Sequence, residues 1–490
     1  MGMNASPRQT SHLKREILVR VIKAYLGNNF SEDIRLIPYA MRPKGSEVPF
    51  RCCIHKERAI LRDRTIASLG MAIEEADDTV LLSTLAENAL EREKPETNPL
   101  TVLTTACKGC VPSKIYVTDL CQGCVARPCI NTCKFGAISI QNGRAVVDPA
   151  KCKNCGMCVN ACPYQAITKI IVPCENICPV NAIEKDENGY AKIDFDKCIS
   201  CGKCLSACPF GAVHEKSQLI DVLKNIKSGK KVIAMLAPAI MGQMPCTPEQ
   251  LRSAILKLGF KDVYEVAQGA DITSKNEAAE FEERLEDGEE FMTTSCCAAY
   301  NELVEKHIPE MKPFKSNTKT PLYYTAEITK KEYPDSVTVF FTPCNAKRKE
   351  AMQNPNIDYV LNFKELGAWF IALNIQLDTC KKKPFTNEAS AEGRNYAVTG
   401  GVANAVQKLL PEHIPAYPVI INGLNKDSIK DLKKYAKNGV CELGNLIEVM
   451  SCPGGCLGGS GNFNPYKQAL KQLTNYVNES KSEEEIISVE

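Results

Sequence analysis

Sixteen of the chain's 26 cysteines fall between Cys107 and Cys208, and half of those stand in two copies of one spacing. The first copy is Cys152-x2-Cys155-x2-Cys158-x3-Cys162-Pro163. The second is Cys198-x2-Cys201-x2-Cys204-x3-Cys208-Pro209. A shorter motif precedes each one: Pro128-Cys129-x3-Cys133-x3-Ala137-Ile138 and Pro173-Cys174-x3-Cys178-x3-Ala182-Ile183. The offset between copies is 45 residues for the short motif and 46 for the long one. Chance does not produce a duplicated frame of this kind.

The long run is the bacterial ferredoxin pattern, in which three closely spaced thiolates hold three corners of a 4Fe–4S cube and the fourth reaches across to a second cube. The spacing therefore predicts one cluster on Cys152, Cys155, Cys158 and Cys208, and its partner on Cys198, Cys201, Cys204 and Cys162. Zinc gains nothing from a third cysteine two residues on followed by Cys-Pro. Cys121-x2-Cys124-x4-Cys129-x3-Cys133 is a looser run and predicts a third cluster. Cys174 and Cys178 resemble the second half of a run whose first pair is missing. Cys107 and Cys110 could supply that pair, which leaves three or four accessory clusters open.

The remaining composition is that of a folded chain, 44% hydrophobic and 24% charged, with a formal net charge of +2. That charge gives no reason to expect nucleic acid as a partner. No apolar stretch is long enough to span a bilayer, and residues 1–11 lack the apolar run of a signal peptide. Met1-Gly2-Met3-Asn4-Ala5-Ser6 fits the N-myristoylation pattern, which is short enough to arise by chance. The expectation is a cytoplasmic protein whose thiols stay reduced and bind metal.

Four regions follow. Residues 1–100 are expected to be helical, with Leu13, Ile17, Val21, Ile22 and Tyr25 on one face, and to carry no chemistry. Cys52-Cys53-x-His55 reads as a packed or surface pair. Residues 101–216 form the ferredoxin-like α+β cluster domain with its internal repeat. Residues 225–475 alternate apolar strands (Val232 to Leu236, Val337 to Phe341, Val419 to Ile421) with helical stretches, which predicts an α/β domain. Residues 476–490 are an acidic tail.

Eight more cysteines follow the cluster region, and three segments there stand out. They are Thr294-Ser295-Cys296-Cys297-Ala298-Ala299-Tyr300, Thr342-Pro343-Cys344-Asn345-Ala346-Lys347-Arg348-Lys349-Glu350, and Glu448-Val449-Met450-Ser451-Cys452-Pro453-Gly454-Gly455-Cys456-Leu457-Gly458-Gly459. The second follows an apolar strand directly, which puts Cys344 at a strand end. Glycines around Cys456 let backbone approach something bulky. Four thiolates from three loops would hold one more cube.

These loops resemble the three that hold the active-site H-cluster of FeFe-hydrogenases, close to TSCCPxW, MPCxxKxxE and ExMxCxxGCxxGG. The resemblance covers residues 101 to about 465. It implies an H-cluster, a 4Fe–4S cube joined through a cysteine to a diiron unit with CO, cyanide and a bridging dithiolate amine. By motif position, Cys297, Cys344, Cys452 and Cys456 would ligate the cube, Cys456 bridging to the diiron unit. Cys296 would pass protons to the amine, and Lys347 would donate to a cyanide. Ala237, Pro238, Ser295, Pro343, Gly400 and Met450 match segments around the cofactor. Gly269-Ala270-Asp271-Ile272-Thr273, followed by Glu277, Glu280 and Arg284, resembles the family's proton-path segment, with Ser316 at a relay-serine position. The implied path runs Cys296, Glu280, Ser316, Glu277, solvent.

Ala298, Tyr300, Thr342, Ser460 and Asn462 depart from the family's usual residues, which suggests a divergent branch. The resemblance implies reversible conversion of two protons and two electrons to H2. Electrons would pass through the 4Fe–4S clusters to or from a ferredoxin-type carrier, and maturation proteins would install the diiron unit. The 13 basic and 9 acidic residues of 101–216 suit an acidic carrier. A hydrogen sensor or iron–sulfur scaffold without turnover is the alternative, against which the retained Cys296 and Lys347 speak.

Overall fold

The computed structural model describes residues 8–45, 51–74, 76–95, 97–386 and 388–482. The Met1-Gly2 acylation pattern and the end of the acidic tail lie outside them.

The N-terminal stretch forms four helices: Arg8–Leu26, Phe30–Met41, Ile54–Ser68 and Leu82–Glu91. Ile17, Val21 and Ile22 are fully buried along one stripe of the first helix, which packs on helix Phe363–Ala372 far along the chain. The helical expectation for this stretch agrees with the structure.

The cysteine-rich region folds as two similar modules, one inserted in the other. In the nested module, antiparallel strands Lys114–Val117 and Ile167–Ile170 pair, and between them lie helix Pro128–Thr132, hairpin Ile138–Gln141/Arg144–Val147 and helix Met157–Ala161. The enclosing module repeats this plan. Leu100–Val102 pairs with Val213–Glu215, around helix Pro173–Ile177, hairpin Ile183–Lys185/Ala191–Ile193 and helix Lys203–Ala207. The first strand of the enclosing module therefore precedes the whole nested module in sequence, and its last strand follows it.

Two parallel sheets make up the rest. One has the order Asp262–Glu265, Val232–Leu236, Val337–Thr342, Tyr359–Asn362. The other has the order Met292–Thr293, Leu446–Met450, Pro418–Asn422. Strands Val232–Leu236 and Val337–Thr342 are buried at every position, which is why both read as unbroken apolar runs rather than alternating ones. Helices such as Pro248–Lys257, Ala267–Glu286 and Gly401–Leu409 connect the strands. All three strands expected from sequence are present.

One core joins these parts. Buried side chains run from Ile17 and Ile66 through Cys174 and Ala212 to Leu236, Phe341, Trp369 and Leu473. A buried ion pair between two helices of the C-terminal region anchors the segment that follows the cluster region. Arg348 Nη2 meets Glu365 Oε2 at 2.6 Å, the Ser217 hydroxyl donates to the same carboxylate, and Gln218 Oε1 accepts from the Val360 N–H at 2.7 Å. Removing one partner of such a buried pair costs about 3–5 kcal/mol. Among the described residues, no helix is long and apolar enough to cross a membrane.

Candidate functional site

The candidate residues of the C-terminal region stand at the carboxyl ends of parallel strands, the usual place for a site in such sheets. Ala237 and Pro238 follow Val232–Leu236. Ser295, Cys296 and Cys297 follow Met292–Thr293. Pro343 and Cys344 follow Val337–Thr342, and Cys452 and Cys456 follow Leu446–Met450, whose last residue is Met450. Gly400 has φ 89 just before helix Gly401–Leu409.

Cys297, Cys344, Cys452 and Cys456 come together, each within electrostatic reach of the others. Burial pushes the Cys344 thiol up to about 11, Cys456 up to about 12 and Cys452 well above its usual range, and the neighbouring thiols add to the shift. Such a group resists ionisation unless a bound cation takes the charge, as a metal does for its thiolate ligands. Small side chains surround it: Ala298, Ala299 and Ala346 pack against Cys297, Cys344 and Cys201. Gly455 has φ 76, and a Cβ there would lie 2.7 Å from the Ala397 carbonyl oxygen. Four converging thiols with small neighbours are a donor set that suits an iron–sulfur cube rather than inert packing.

Several departures from the family pattern have structural partners here. Thr342 Oγ1 accepts from the Cys344 N–H at 3.2 Å. Asn462 Nδ2 donates to the carbonyls of Cys456 and Leu457, both at 2.8 Å, and so clamps the cysteine turn. Tyr300 is fully buried, with its hydroxyl 2.7 Å from Thr293 Oγ1. Ser460 accepts through its carbonyl from Lys364 at 2.6 Å.

Cys296 lies beside this group, and burial first, then the charge on Glu277, raises its thiol well above the usual range. Glu277 is fully buried on helix Ala267–Glu286. Its Oε1 accepts from the Ser295 N–H at 2.8 Å and lies 3.0 Å from the Ser295 hydroxyl. Its Oε2 has no partner. Burial pushes its pKa up to about 7.

Glu280 is different. Its carboxylate accepts from the Ser316 hydroxyl (2.7 Å), the N–H groups of Asn317 and Thr318, the Thr318 hydroxyl and Arg284. Burial opposes ionisation there, yet these donors hold the pKa below the usual carboxylate value. Arg284 also reaches Glu289 at 2.7 Å and the Pro313 carbonyl at 2.6 Å. The order expected from sequence is therefore reversed: Glu277 is the inner carboxylate and Glu280 the outer one. Helix geometry explains this. Glu277 lies near the middle of the buried stripe of Ala270, Thr273, Ser274 and Phe281, whereas Glu280 stands about 60° round from Glu277, at the edge of that stripe. Ser316 bears on both. Gly269 lets this helix lie against the next one, since a Cβ there would sit 2.0 Å from the Pro321 carbonyl oxygen.

Lys347 is buried. Burial alone would discharge it, but Glu350 raises its pKa and pairs with its ammonium at 2.7 and 2.8 Å. The Thr320 hydroxyl donates to the same carboxylate at 2.5 Å.

Two positioning residues were not singled out from sequence. Glu448 is fully buried and accepts from the N–H groups of Gly400 (2.7 Å) and Ala403 (2.9 Å), which anchors the start of helix Gly401–Leu409. Tyr396 packs with Cys296 and Met450 and lies 2.8 Å from the Ser274 hydroxyl. The glutamate belongs to the third loop's motif. Tyr396 itself stands in no motif; the nearest signal is Gly400, four residues on.

The sixteen upstream cysteines gather within modules, not between the two long runs. Cys133 shares a small surface hollow with Cys152, Cys155 and Cys158. Cys129 feels Cys124 and Cys162, in the cluster of side chains that also holds Cys121. Cys107, Cys110, Cys174 and Cys208 line a second hollow. Cys178 lies with Cys198, Cys201 and Cys204. The expected exchange of Cys162 and Cys208 between the long runs is thus corrected. Each crosses to the short motif of its own module, because the two short helices of one module pack on each other. Cys107 and Cys110 do complete the second module, both in the set with Cys174 and Cys208. Backbone N–H groups donate to several of these sulfurs, among them Ala145 to Cys121, Ala191 to Cys107 and Ala212 to Cys208. The set around Cys201 adjoins the C-terminal group, since Cys201 is within reach of Cys452.

A cavity of about 590 Å³ lies elsewhere. Met241, Cys246, Phe385, Arg394 and Tyr476 line it, and none of the ligand cysteines does.

Known proteins share these features. Residues 230–460 match the C-terminal domain of the iron-only hydrogenase large subunit. Residues 145–168 match a 4Fe–4S binding domain, and residues 171–219 match the LdpA Fe–S cluster-binding domain. Iron hydrogenase 1 of Clostridium pasteurianum is 30% identical over 64% of this chain and 64% of its own length. The chain thus spans just under two thirds of that relative. The large chain of the periplasmic [Fe] hydrogenase of Nitratidesulfovibrio vulgaris is also 30% identical, over 64% of this chain and 85% of its own. The [FeFe]-hydrogenase HydA1 of Chlamydomonas reinhardtii superimposes with a TM-score of 0.45 at 19% identity, over 56% of this chain and 93% of that one. Sequence match, cysteine loops and iron–sulfur modules agree, and the chain belongs to the iron-only hydrogenase family.

Proposed function

We propose that this protein is an FeFe-hydrogenase that interconverts protons, electrons and H2 at an H-cluster held by Cys297, Cys344, Cys452 and Cys456. One observation carries the reading. A fully buried carboxylate, Glu277, lies between the Cys296 thiol and a hydrogen-bonded chain to Arg284, beside four converging thiols.

The diiron unit, when bound, would supply the chemistry that joins or splits H2. The chain's own residues do the rest. Cys296 holds a proton on Sγ, because burial and nearby negative charge keep its thiol neutral. Glu277 exchanges that proton at Oε2, its one oxygen without a partner. A carboxyl near pKa 7 can take and give protons at neutral pH. Ser316 Oγ passes the proton on toward Glu280, and Arg284 holds Glu280 in place. Lys347, kept charged by Glu350, would face the cyanide of the open iron.

Electrons would travel through four accessory clusters, one for each set of four upstream cysteines, and reach the active site by way of the set around Cys201. The nested module is the proposed docking surface for an acidic, ferredoxin-type carrier. Of its charged residues, Lys114, Arg127, Lys134, Arg144, Lys151, Lys153 and Lys169 oppose only Asp119 and Asp148. The enclosing part of 101–216 has six basic and seven acidic residues, so the whole excess lies on the nested module. All seven cations are exposed. Cys155 is exposed too, in a hollow it shares with Phe135, Lys153 and Met157. Val125, Leu120, Tyr116 and Tyr164 add exposed apolar surface. Maturation proteins would install the diiron unit. A reducing compartment such as the cytoplasm suits 26 cysteines, none of them disulfide-bonded.

The test is hydrogen evolution from a reduced viologen, with anaerobically prepared protein, with and without the diiron cofactor. Activity only with the cofactor supports the enzyme. Inactive protein that holds all its iron and the diiron unit would sink this reading in favour of a sensor or scaffold.

A further inference from the structure

The N-terminal region brings cations to one cysteine set and leaves one of them without an ion-pair partner. Arg64, on helix Ile54–Ser68, is 3% exposed. Its Nη2 donates to the Phe210 carbonyl at 3.1 Å, two residues beyond Cys208. Its Nε and Nη1 have no partner, although buried polar groups are rarely left so. A buried arginine ordinarily meets a carboxylate. The adjacent carboxylate, Asp63, is engaged instead by the Thr105 hydroxyl and Arg62.

Other charges face the same place. The Arg51 guanidinium lies 5.2 Å from the centre of the Phe210 ring, and its Nη2 reaches the carbonyl of Ala106, next to Cys107. Lys14 and Lys364 line a small cavity with Cys208 and Glu215, where Lys14 pairs with Glu215 at 3.0 Å. His214 is buried, and its Nδ1 lies 2.7 Å from the Glu215 carbonyl oxygen; burial pushes its pKa down to about 3, so it is neutral. Arg64, Arg51, Lys14 and Lys364 thus gather on the Cys208 side of this set, where Glu215 pairs with Lys14; Asp63 also lies within electrostatic reach of Arg64, and Glu175 with Lys185 faces Cys174. The cations of the nested module, by contrast, are all exposed and screened by water.

We propose that the N-terminal region, together with Lys364, forms an electrostatic collar for the cluster bound by Cys107, Cys110, Cys174 and Cys208, and that Arg64 raises its reduction potential as a positioned cation without an ion-pair partner. The inference rests on the cluster assignment made above. When the carrier gives up one electron, this cluster gains one electron and one unit of negative charge, and Arg64 keeps its proton throughout. A fixed cation in a low-dielectric surrounding favours the more negative, reduced state. An electron delivered to the nested module would then move downhill to this cluster, which stores it beside the set around Cys201. The collar also assigns a task to residues that hold no cofactor themselves.

The test is an EPR-monitored redox titration of the iron-loaded full chain. Cys107→Ala with Cys110→Ala first identifies the signal and iron that belong to this cluster. Arg64→Gln keeps a donor for the Phe210 carbonyl but removes the charge. It should disfavour reduction of that cluster about tenfold, a fall of about 59 mV for one electron. The remaining signals should not move, and Arg64→Lys should restore most of the potential. An unmoved potential in Arg64→Gln, or equal shifts in the Gln and Lys variants, would overturn the collar alone. Iron and signals unchanged by the cysteine pair would overturn the ligand assignment and the collar with it. If Arg64→Gln fails to load iron, Arg51→Gln should show a smaller fall of the same sign, and no shift there would overturn the proposal.

Discussion

The backbone N–H of Ser295 donates to Oε1 of Glu277 at 2.8 Å, and this contact ties the proposed proton relay to the loop that carries Cys296. It also leaves Oε2 of the same carboxylate as the buried oxygen without a partner. A pH dependence follows. The Glu277 pKa is raised to about 7, so the group is protonated below that pH and ionised above it. Hydrogen evolution needs the proton donor and should decline as pH rises through about 7. Hydrogen oxidation needs the acceptor and should rise over the same interval. Glu277→Gln should lower both rates by about 10²–10⁴-fold and abolish this limb of the pH profile, with iron content unchanged. A viologen assay across pH checks it, and a wild-type limb that persists in the variant would remove Glu277 from the relay.

The nested arrangement of modules makes a prediction about iron counts. Cys208 lines one hollow with Cys107, Cys110 and Cys174. Cys107→Ala and Cys208→Ala should therefore each lose the same cluster, about four irons. The double variant should lose no more than either single one. Cys152→Ala combined with Cys208→Ala should lose two clusters. Iron analysis with EPR separates these outcomes.

Carrier docking should depend on charge. Lys134→Glu with Lys153→Glu reverses two exposed cations of the nested module. The KM for an acidic ferredoxin should rise several-fold at low ionic strength, and the difference should shrink as salt is added. Turnover with a viologen, which needs no protein docking, should be unchanged. Equal loss with both donors would point to damage within the module.

Asn462 has a measurable structural role. Its amide bonds the carbonyls of Cys456 and Leu457, both at 2.8 Å. Asn462→Ala should destabilise the loaded protein by about 2 kcal/mol, at about 1 kcal/mol for each hydrogen bond. Thermal unfolding under anaerobic conditions reads this directly. No change in stability would mean that the turn is held by its glycines alone.

Much of the site was legible in the sequence because its signals are local. The three cysteine loops, the strands that carry them and the duplicated ferredoxin frame all lie in short, contiguous motifs. Arg64 and Tyr396 were not legible. Each works through a neighbour more than a hundred residues away, and neither stands in a motif. The order of Glu277 and Glu280 failed for a related reason. Three residues on a helix share a face only broadly, and the 60° between them separates core from boundary.

The sequence by itself determined which thiols are available, that they come in ferredoxin-like runs and hydrogenase-like loops, and where the apolar strands lie, since spacing and periodicity are properties of the chain. Only the tertiary structure decided which thiols meet. One module folds inside another, so Cys107 and Cys110 reach Cys174 and Cys208 across the whole nested module. The cationic collar likewise arises only when the N-terminal helices share one buried core with the cluster region and the sheets. Partners so far apart in sequence are chosen by packing, and no local pattern encodes that choice.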